Sequence, residues 1–417
     1  MRCALFITLL GFAPVLGAYS VLTHEAIIDT AWDTGIKPLL LARYPGASPQ
    51  DLTQAHSYAY AGSIIQDMGY YPFGSHYLSD LLHYVRSGGF VMNLIAEAQD
   101  LNEYAFALGA LAHYAADKEG HSIAVNRSVP IEYPKLRRRY GNVVTYEDNP
   151  TDHLRVEFSF DVLQIARGFY APQAYHDFIG FRVSRPVLER AFYDTYGLDF
   201  TEVCKDPDLS LGSYRRTVSS VIPEMTQVAW DMKKDDLQKA HPGVTRRGFV
   251  YRLSRASYRK EWGEPSREPG VGTRVLAFWI RILPKVGPLK TLNFKPPTPE
   301  TEKLFETSFD RTIDRYRELL AQQGQGRLQL ADLDLDTGKP TQAGEYRMAD
   351  NVYAKLARDL AAKEPSAANQ TARSNVLAFY GDMSRPNWAQ TDRHEWRRTV
   401  AAVGKLRSEE SASRVQQ

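Results

Sequence analysis

Apolar positions recur along the first part of this chain at the spacing of helices. Leu101, Tyr104, Ala105, Leu108, Leu111, Ala112 and Ala115 follow the i, i+3, i+4, i+7 rhythm of one buried face. Asn149 followed by Pro150 predicts an N-cap and a first turn, and Leu154, Phe158, Val162 and Ile165 continue that stripe. Residues 19–32 read as a further helix with Ser20 or Thr23 available as caps. The chain from residue 20 to about 170 therefore reads as helices joined by long loops.

The second half is less patterned. Thr298-Pro299 opens a helix whose face is Leu304, Phe305, Phe309, Ile313, Tyr316 and Leu320, and another helical pattern covers about 348–361. Residues 261–272, rich in Gly and Pro, read as a linker or surface loop. The last dozen residues, rich in Ser, Glu and Gln, predict a frayed tail. No repeat and no strand-dominated region emerges, so the expected class is mostly α.

Composition narrows the picture without deciding it. Of 417 residues, 43% are hydrophobic and 24% charged, which excludes disorder over most of the length and a collagen or coiled-coil rod. A formal net charge of +2 argues against a surface built throughout to grip nucleic acid. Residues 1–18 combine a basic start, a short apolar run and the small exit Gly17-Ala18, as a secretory signal peptide does. The expected location is therefore exported, periplasmic or extracellular. Cys3 leaves with that segment and Cys204 remains alone, so no internal disulfide forms. The longest later apolar run, residues 275–283, is too short to span a bilayer and contains Arg281.

Chemistry concentrates in the first half. His113, Asp117 and His121 step by four along the helix that carries Leu108 and Leu111. At about 100° per residue they lie roughly 40° apart in sequence and share one face. His113 and His121 are about 12 Å apart along the axis, too far to bind one ion together, whereas Asp117 between them could bridge two. His153 and Glu157 repeat the i, i+4 geometry on the helix opened by Asn149. His24 sits near the amino end, and Asp67 and His83 bracket an aromatic loop with Tyr70, Tyr71 and Phe73. Imidazoles and carboxylates without thiolate suit zinc held with an open coordination position, which is the catalytic kind of site. No HExxH pair is present. His56, His76, His176, His241 and His394 read as ordinary surface or hydrogen-bonded histidines.

The order His24, Asp67, His83, His113, Asp117, His121, His153, Glu157 resembles the zinc-dependent phospholipase C family, whose helical fold is shared with the fungal single-strand-specific nucleases. The resemblance covers about residues 19–160. It implies one zinc on Asp67, His83, His113 and Asp117, and a second on His24, the shared Asp117, and the amine and carbonyl of Tyr19 as mature amino terminus. It implies a third zinc on His121, His153 and Glu157, and a general-base role for Asp67. Two positions depart from the usual pattern. His113 to His121 is eight residues where the bacterial phospholipases and fungal nucleases have ten, a spacing that resembles the equivalent domain of the glycosylphosphatidylinositol-specific phospholipases. Tyr19 stands where Trp is usual, and its role requires cleavage after Ala18, since cleavage after Gly17 would free Ala18 instead.

The resulting expectation is a signal peptide over 1–18 and a phospholipase C/nuclease-like helical catalytic domain over 19–180. A largely helical region over 181–400, able to pack on the first, and a disordered tail over 401–417 would follow. The expected activity is zinc-dependent hydrolysis of phospholipid head-group phosphodiesters with up to three zinc ions. The alternatives are a nuclease for single-stranded nucleic acid, or a zinc-stabilised protein that binds membrane or partner with little activity. The aromatic loop could cradle a choline group or stack on a base. A basic run over 239–260 interleaved with Phe249, Tyr251 and Tyr258 could meet phosphates, and residues 275–283 could dip into a membrane interface. Solvated surface and core are the simpler readings of these two. Asp332, Asp334, Asp336 and Gly338 resemble part of a calcium loop, but Lys339 occupies the place of its glycine and the stretch reads as a polar turn.

Overall fold

A computed structural model describes residues 21–167, 180–218, 234–235, 238, 294–381 and 393–415. The signal segment, Tyr19, the Gly/Pro-rich linker, the basic run over 239–260 and the apolar run over 275–283 lie outside the described residues. Among those described, nearly all regular structure is helical: α1 (Val21–Ala31), α2 (Lys37–Arg43), α3 (Pro49–Gly62), α4 (His76–Tyr84), α5 (Ser87–Glu97), α6 (Leu101–Glu119), α7 (Asn126–Glu132), α8 (Pro134–Tyr140) and α9 (Pro150–Arg167). Then come α10 (Arg185–Tyr196), α11 (Phe200–Val203), α12 (Pro207–Arg216), α13 (Pro299–Gly324), α14 (Arg347–Ala361), α15 (Ala367–Phe379) and α16 (Arg393–Val415). One two-residue ribbon interrupts them, with β1 (Leu333–Asp334) antiparallel to β2 (Lys339–Pro340). The mostly α class is what the hydrophobic pattern predicts.

Helix α6 is the axis. Asp100 caps it by accepting the Glu103 amide at 2.8 Å, and every residue from Glu103 to Asp117 is buried. A helix apolar on all sides must be surrounded, and α1, α3, α5 and α13 pack around this one. Helix α3 approaches closely because a glycine stands on each side of the contact. A Cβ at Gly62 would lie 2.0 Å from Phe106 O, and one at Gly109 would lie 2.2 Å from Ala59 O. The capping box of Ser48 and Asp51 fixes where α3 begins, and its end therefore lies against the middle of α6.

Elements on both sides of residue 180 share one apolar core. Helix α10 packs on α5, α14 packs on α4, and α13 lies along α6 and α7. Thr298 caps α13 with Pro299 in its first turn, as predicted, and Tyr316 from this helix donates to Leu108 O at 2.8 Å. The expected frayed tail is corrected: residues 401–415 are the helical end of α16. Ala402, Val403 and Leu406 recur at helical spacing and bury on the side that meets α14, while Glu409 pairs with Arg373 at 2.7 Å. Polar composition hid a short apolar stripe.

Candidate metal centre

Six local structures deliver the eight candidate ligands. His24 is on α1, and Asp67 is on a single 3₁₀ stretch over Ile65–Tyr70 that follows α3. His83 is on the last turn of α4, and His113 and Asp117 are on α6. His153 and Glu157 lie one turn apart on α9, whose start is set by Asn149 Oδ1 accepting the Asp152 amide at 3.0 Å. His121 departs from the expected α-helical phase. The α-helix gives way at Gly120 to a π-helical turn over Gly120–Val125, and His121, on this turn, lies against α9. Its ring centroid is 5.1 Å from that of His153.

These side chains form three groups whose donor atoms converge: His24 with His113 and Asp117, Asp67 with His83 and His113, and His121 with His153 and Glu157. Asp117 Oδ2 lies 3.0 Å from His113 Nε2 and 3.2 Å from His83 Nε2. Its other oxygen lies 3.6 Å from His24 Nε2. One carboxylate thus faces two of the groups at once. Asp67 Oδ1 is 3.3 Å from His83 Nε2, and His83 Nε2 is 3.4 Å from His113 Nε2. In the third group Glu157 Oε1 lies 2.7 Å from His153 Nδ1 and 3.7 Å from His121 Nε2.

The ring orientations are fixed from behind. His83 Nδ1 meets Ser79 O at 2.8 Å and His113 Nδ1 meets Ser63 O at 3.0 Å. His153 Nε2 meets Asn126 Oδ1 at 2.9 Å. Each backing atom is an acceptor, so each ring carries its proton there and presents a lone pair to its group. All eight residues are buried. Among the described residues, both oxygens of Asp67 and of Asp117, both ring nitrogens of His121, Glu157 Oε2 and His153 Nδ1 find no hydrogen-bond partner. Buried polar atoms left so would cost free energy unless something else satisfies them. Converging lone pairs and unsatisfied carboxylate oxygens fit divalent zinc.

The electrostatics have the same origin. Burial, with His113 nearby, lowers His24 to about 3, and burial with His121 lowers His153 to about 3, so both imidazoles are neutral bases. Burial followed by the charges of Asp67 and Asp117 pushes Glu157 well above the ordinary carboxylate range. Burial acts against the charged form of His83, but the carboxylates of Asp117 and Asp67 beside it outweigh burial and raise that imidazole.

Of the aromatic loop, Tyr70 and Tyr71 are buried and Phe73 is 59% exposed. Tyr70 stands beside the site, its centroid 5.7 Å from that of His83 and 6.4 Å from that of Tyr146, which in turn is 5.6 Å from His153. Tyr71 packs instead on Tyr214. His56 stacks on Trp32 and meets Asp29 at 3.0 Å, away from the three groups. A cavity of about 430 Å³ beside Tyr44, Asp51, Gln54 and Asn102 contains none of the candidate ligands, so the converging donors locate the site and the cavity does not.

Sequence reasoning missed Asp336. This residue, read as part of a polar turn, is buried with Oδ1 3.0 Å from His121 Nδ1. The Asp-x-Asp-x-Asp run was a visible signal, but nothing local tied it to a histidine so far away in sequence.

Among the described residues, the helical fold thus gathers imidazoles and carboxylates into three groups that could each hold a metal ion. Residues 23–205, which contain all eight candidate ligands, match the family described as zinc dependent phospholipase C. No curated protein and no solved structure matches the chain.

Proposed function

We propose that the protein is an exported phospholipase C-type phosphodiesterase that hydrolyses the head-group phosphodiester of phospholipids with three zinc ions. The observation that carries this reading is Asp117, whose two oxygens face two metal-ligand groups while His121, His153 and Glu157 form a third. Zinc held there would lower the pKa of water beside it and neutralise charge on the phosphoryl oxygens and the leaving alkoxide.

The chain's own residues do the rest. His83, His113 and His153 are held in one tautomer by Ser79, Ser63 and Asn126, so their lone pairs are preorganised. Asp67, whose two oxygens have no hydrogen-bond partner among the described residues, would take a proton from the attacking water. Tyr70 and Tyr146 lie between His83 and His153, where their faces could hold a cationic head group. Tyr19, freed by signal cleavage, would complete the group of His24 and Asp117 through its amine and carbonyl.

The test is to assay mature, zinc-loaded protein on phosphatidylcholine, a phosphoinositide and single-stranded DNA. Lipid cleavage without DNA cleavage is expected. DNA cleavage alone would move the same chemistry to nucleic acid, and no hydrolysis with zinc bound would leave a binding protein.

A further inference from the structure

We infer that Asp336, which lies outside the span matching the family, is a positioning residue that orients His121 in the His121–His153–Glu157 group; the inference rests on the zinc reading above. His121 Nε2 faces Glu157 Oε1, which leaves Nδ1 on the far side of the ring. There Asp336 Oδ1 stands 3.0 Å away. The carboxylate is not itself a ligand in this arrangement. Its Oδ1 meets the nitrogen turned away from the group, and its Oδ2 already accepts from Tyr84 Oη at 2.8 Å and Tyr346 Oη at 2.5 Å. A carboxylate behind a ligating imidazole fixes which nitrogen carries the proton and makes the other a stronger donor to metal.

The same residue reaches the second histidine of the group. Asn126 Nδ2 donates to Asp336 O at 2.7 Å, and Asn126 Oδ1 lies 2.9 Å from His153 Nε2. Both imidazoles are thus backed by partners that are bonded to each other. His83, His113 and His153 are backed by neutral acceptors, whereas His121 has a carboxylate.

Asp336 is delivered on a strap held at both ends. Ala331 O accepts from Tyr114 Oη at 2.9 Å and sits where Gly88 has no side chain, since a Cβ there would lie 2.4 Å from that oxygen. Asp332 Oδ1 accepts the Gly89 amide at 2.9 Å, and Ser87 Oγ bonds both backbone groups of Leu333. The Leu335 amide donates to His83 O at 3.2 Å, so the strap also touches the backbone of a ligand in another group. Asp334 Oδ1 accepts the Asp336 and Thr337 amides, and Gly338 turns the chain at φ +70 against Lys118 O. The three aspartates that resembled a calcium loop therefore have separate protein partners: a helix start, a turn and a histidine.

The experiment compares the full mature chain with Asp336→Ala and Asp336→Asn. Bound zinc is counted after dialysis, and each ion's affinity is measured by competition with a chelator. Unfolding midpoints are taken with and without zinc. Asp336→Ala is expected to keep two ions at wild-type affinity and to hold the third about 10–100-fold more weakly. Asp336→Asn, which keeps an oxygen near Nδ1 but removes the negative charge, is expected to fall between the two. Three ions held with wild-type affinity in Asp336→Ala would overturn the inference. So would equal weakening of all three in both variants with a lowered midpoint, which marks a merely structural residue. A wild-type protein that binds no zinc would overturn the zinc reading itself, and the inference with it.

Discussion

Asp117 Oδ1 faces His24 Nε2 at 3.6 Å while the other oxygen of the same carboxylate lies 3.0 Å from His113 Nε2. Asp117→Asn replaces one of these oxygens with an amide that cannot ligate. The expected result is weakened binding of two zinc ions, with the ion of the His121–His153–Glu157 group retained. Hydrolysis should fall by more than about 100-fold, since even outer partners of metal ligands cost about 10–100-fold. Zinc content and turnover measured on one preparation check this, and retention of all three ions with full turnover would contradict it.

The contact of α3 with α6 sets the distance between Asp67 and His113. In Gly109→Ala the new methyl would meet Ala59 O at 2.2 Å, and backbone cannot rotate out of the way. Overpacking of this kind costs about 1–3 kcal/mol, and the shift should loosen zinc at the Asp67–His83–His113 group. Gly212→Ala is the control, because nothing lies within 4 Å of its Cβ on α12. That change should be neutral or stabilise by up to about 1 kcal/mol through helix propensity. Thermal unfolding of the pair decides the matter.

Zinc must displace protons from this site. Burial opposes charge on His83 and His121, yet Asp117 and Asp67 raise the first and Asp336 raises the second, while burial raises Glu157. His24 and His153, at about 3, have no proton to give up at neutral pH. Zinc uptake at pH 7 should therefore release protons, and affinity should rise with pH. In the metal-free protein the ion pairs of His83 and His121 contribute stability that is fully present below about 6.5 and is lost as pH rises through their raised values. Raising pH above about 6.5 should weaken the metal-free fold and strengthen zinc binding. Calorimetric titration in two buffers of different ionisation enthalpy measures the release, and a value of zero would contradict the assignment.

The amino end of α1 is tied to α9. Asp161 Oδ2 accepts the Leu22 amide at 3.0 Å, and its Oδ1 accepts from Thr23 Oγ1. Asp161→Ala should release this tether and weaken zinc at the His24 group alone. Extra residues before Tyr19 should cripple hydrolysis while leaving the fold intact by circular dichroism. Full activity in an extended, uncleaved protein with zinc bound would remove Tyr19 from the site.

Legibility followed sequence distance. His113 with Asp117, and His153 with Glu157, could be paired because one helical turn places them together. Asp67 and His83 were legible only through the ordered resemblance, since they come to His113 from elements far away in sequence. The π-helical turn at Gly120 was not legible. It arises where α13, α7 and α9 meet the end of α6, so long-range packing overrides the simple α-helical phase. Asp336 was missed for the same reason. Its partner lies across the fold, and its local spacing suggested a turn.

Anomalous diffraction at the zinc edge from crystals of the mature protein tests the central claim most directly. The account predicts three peaks: one among Asp67, His83, His113 and Asp117, one between His24 and Asp117, and one among His121, His153 and Glu157, with ligand distances of about 2.0–2.2 Å. No peak bridged by Asp117, or zinc bound only elsewhere on the surface, would contradict it.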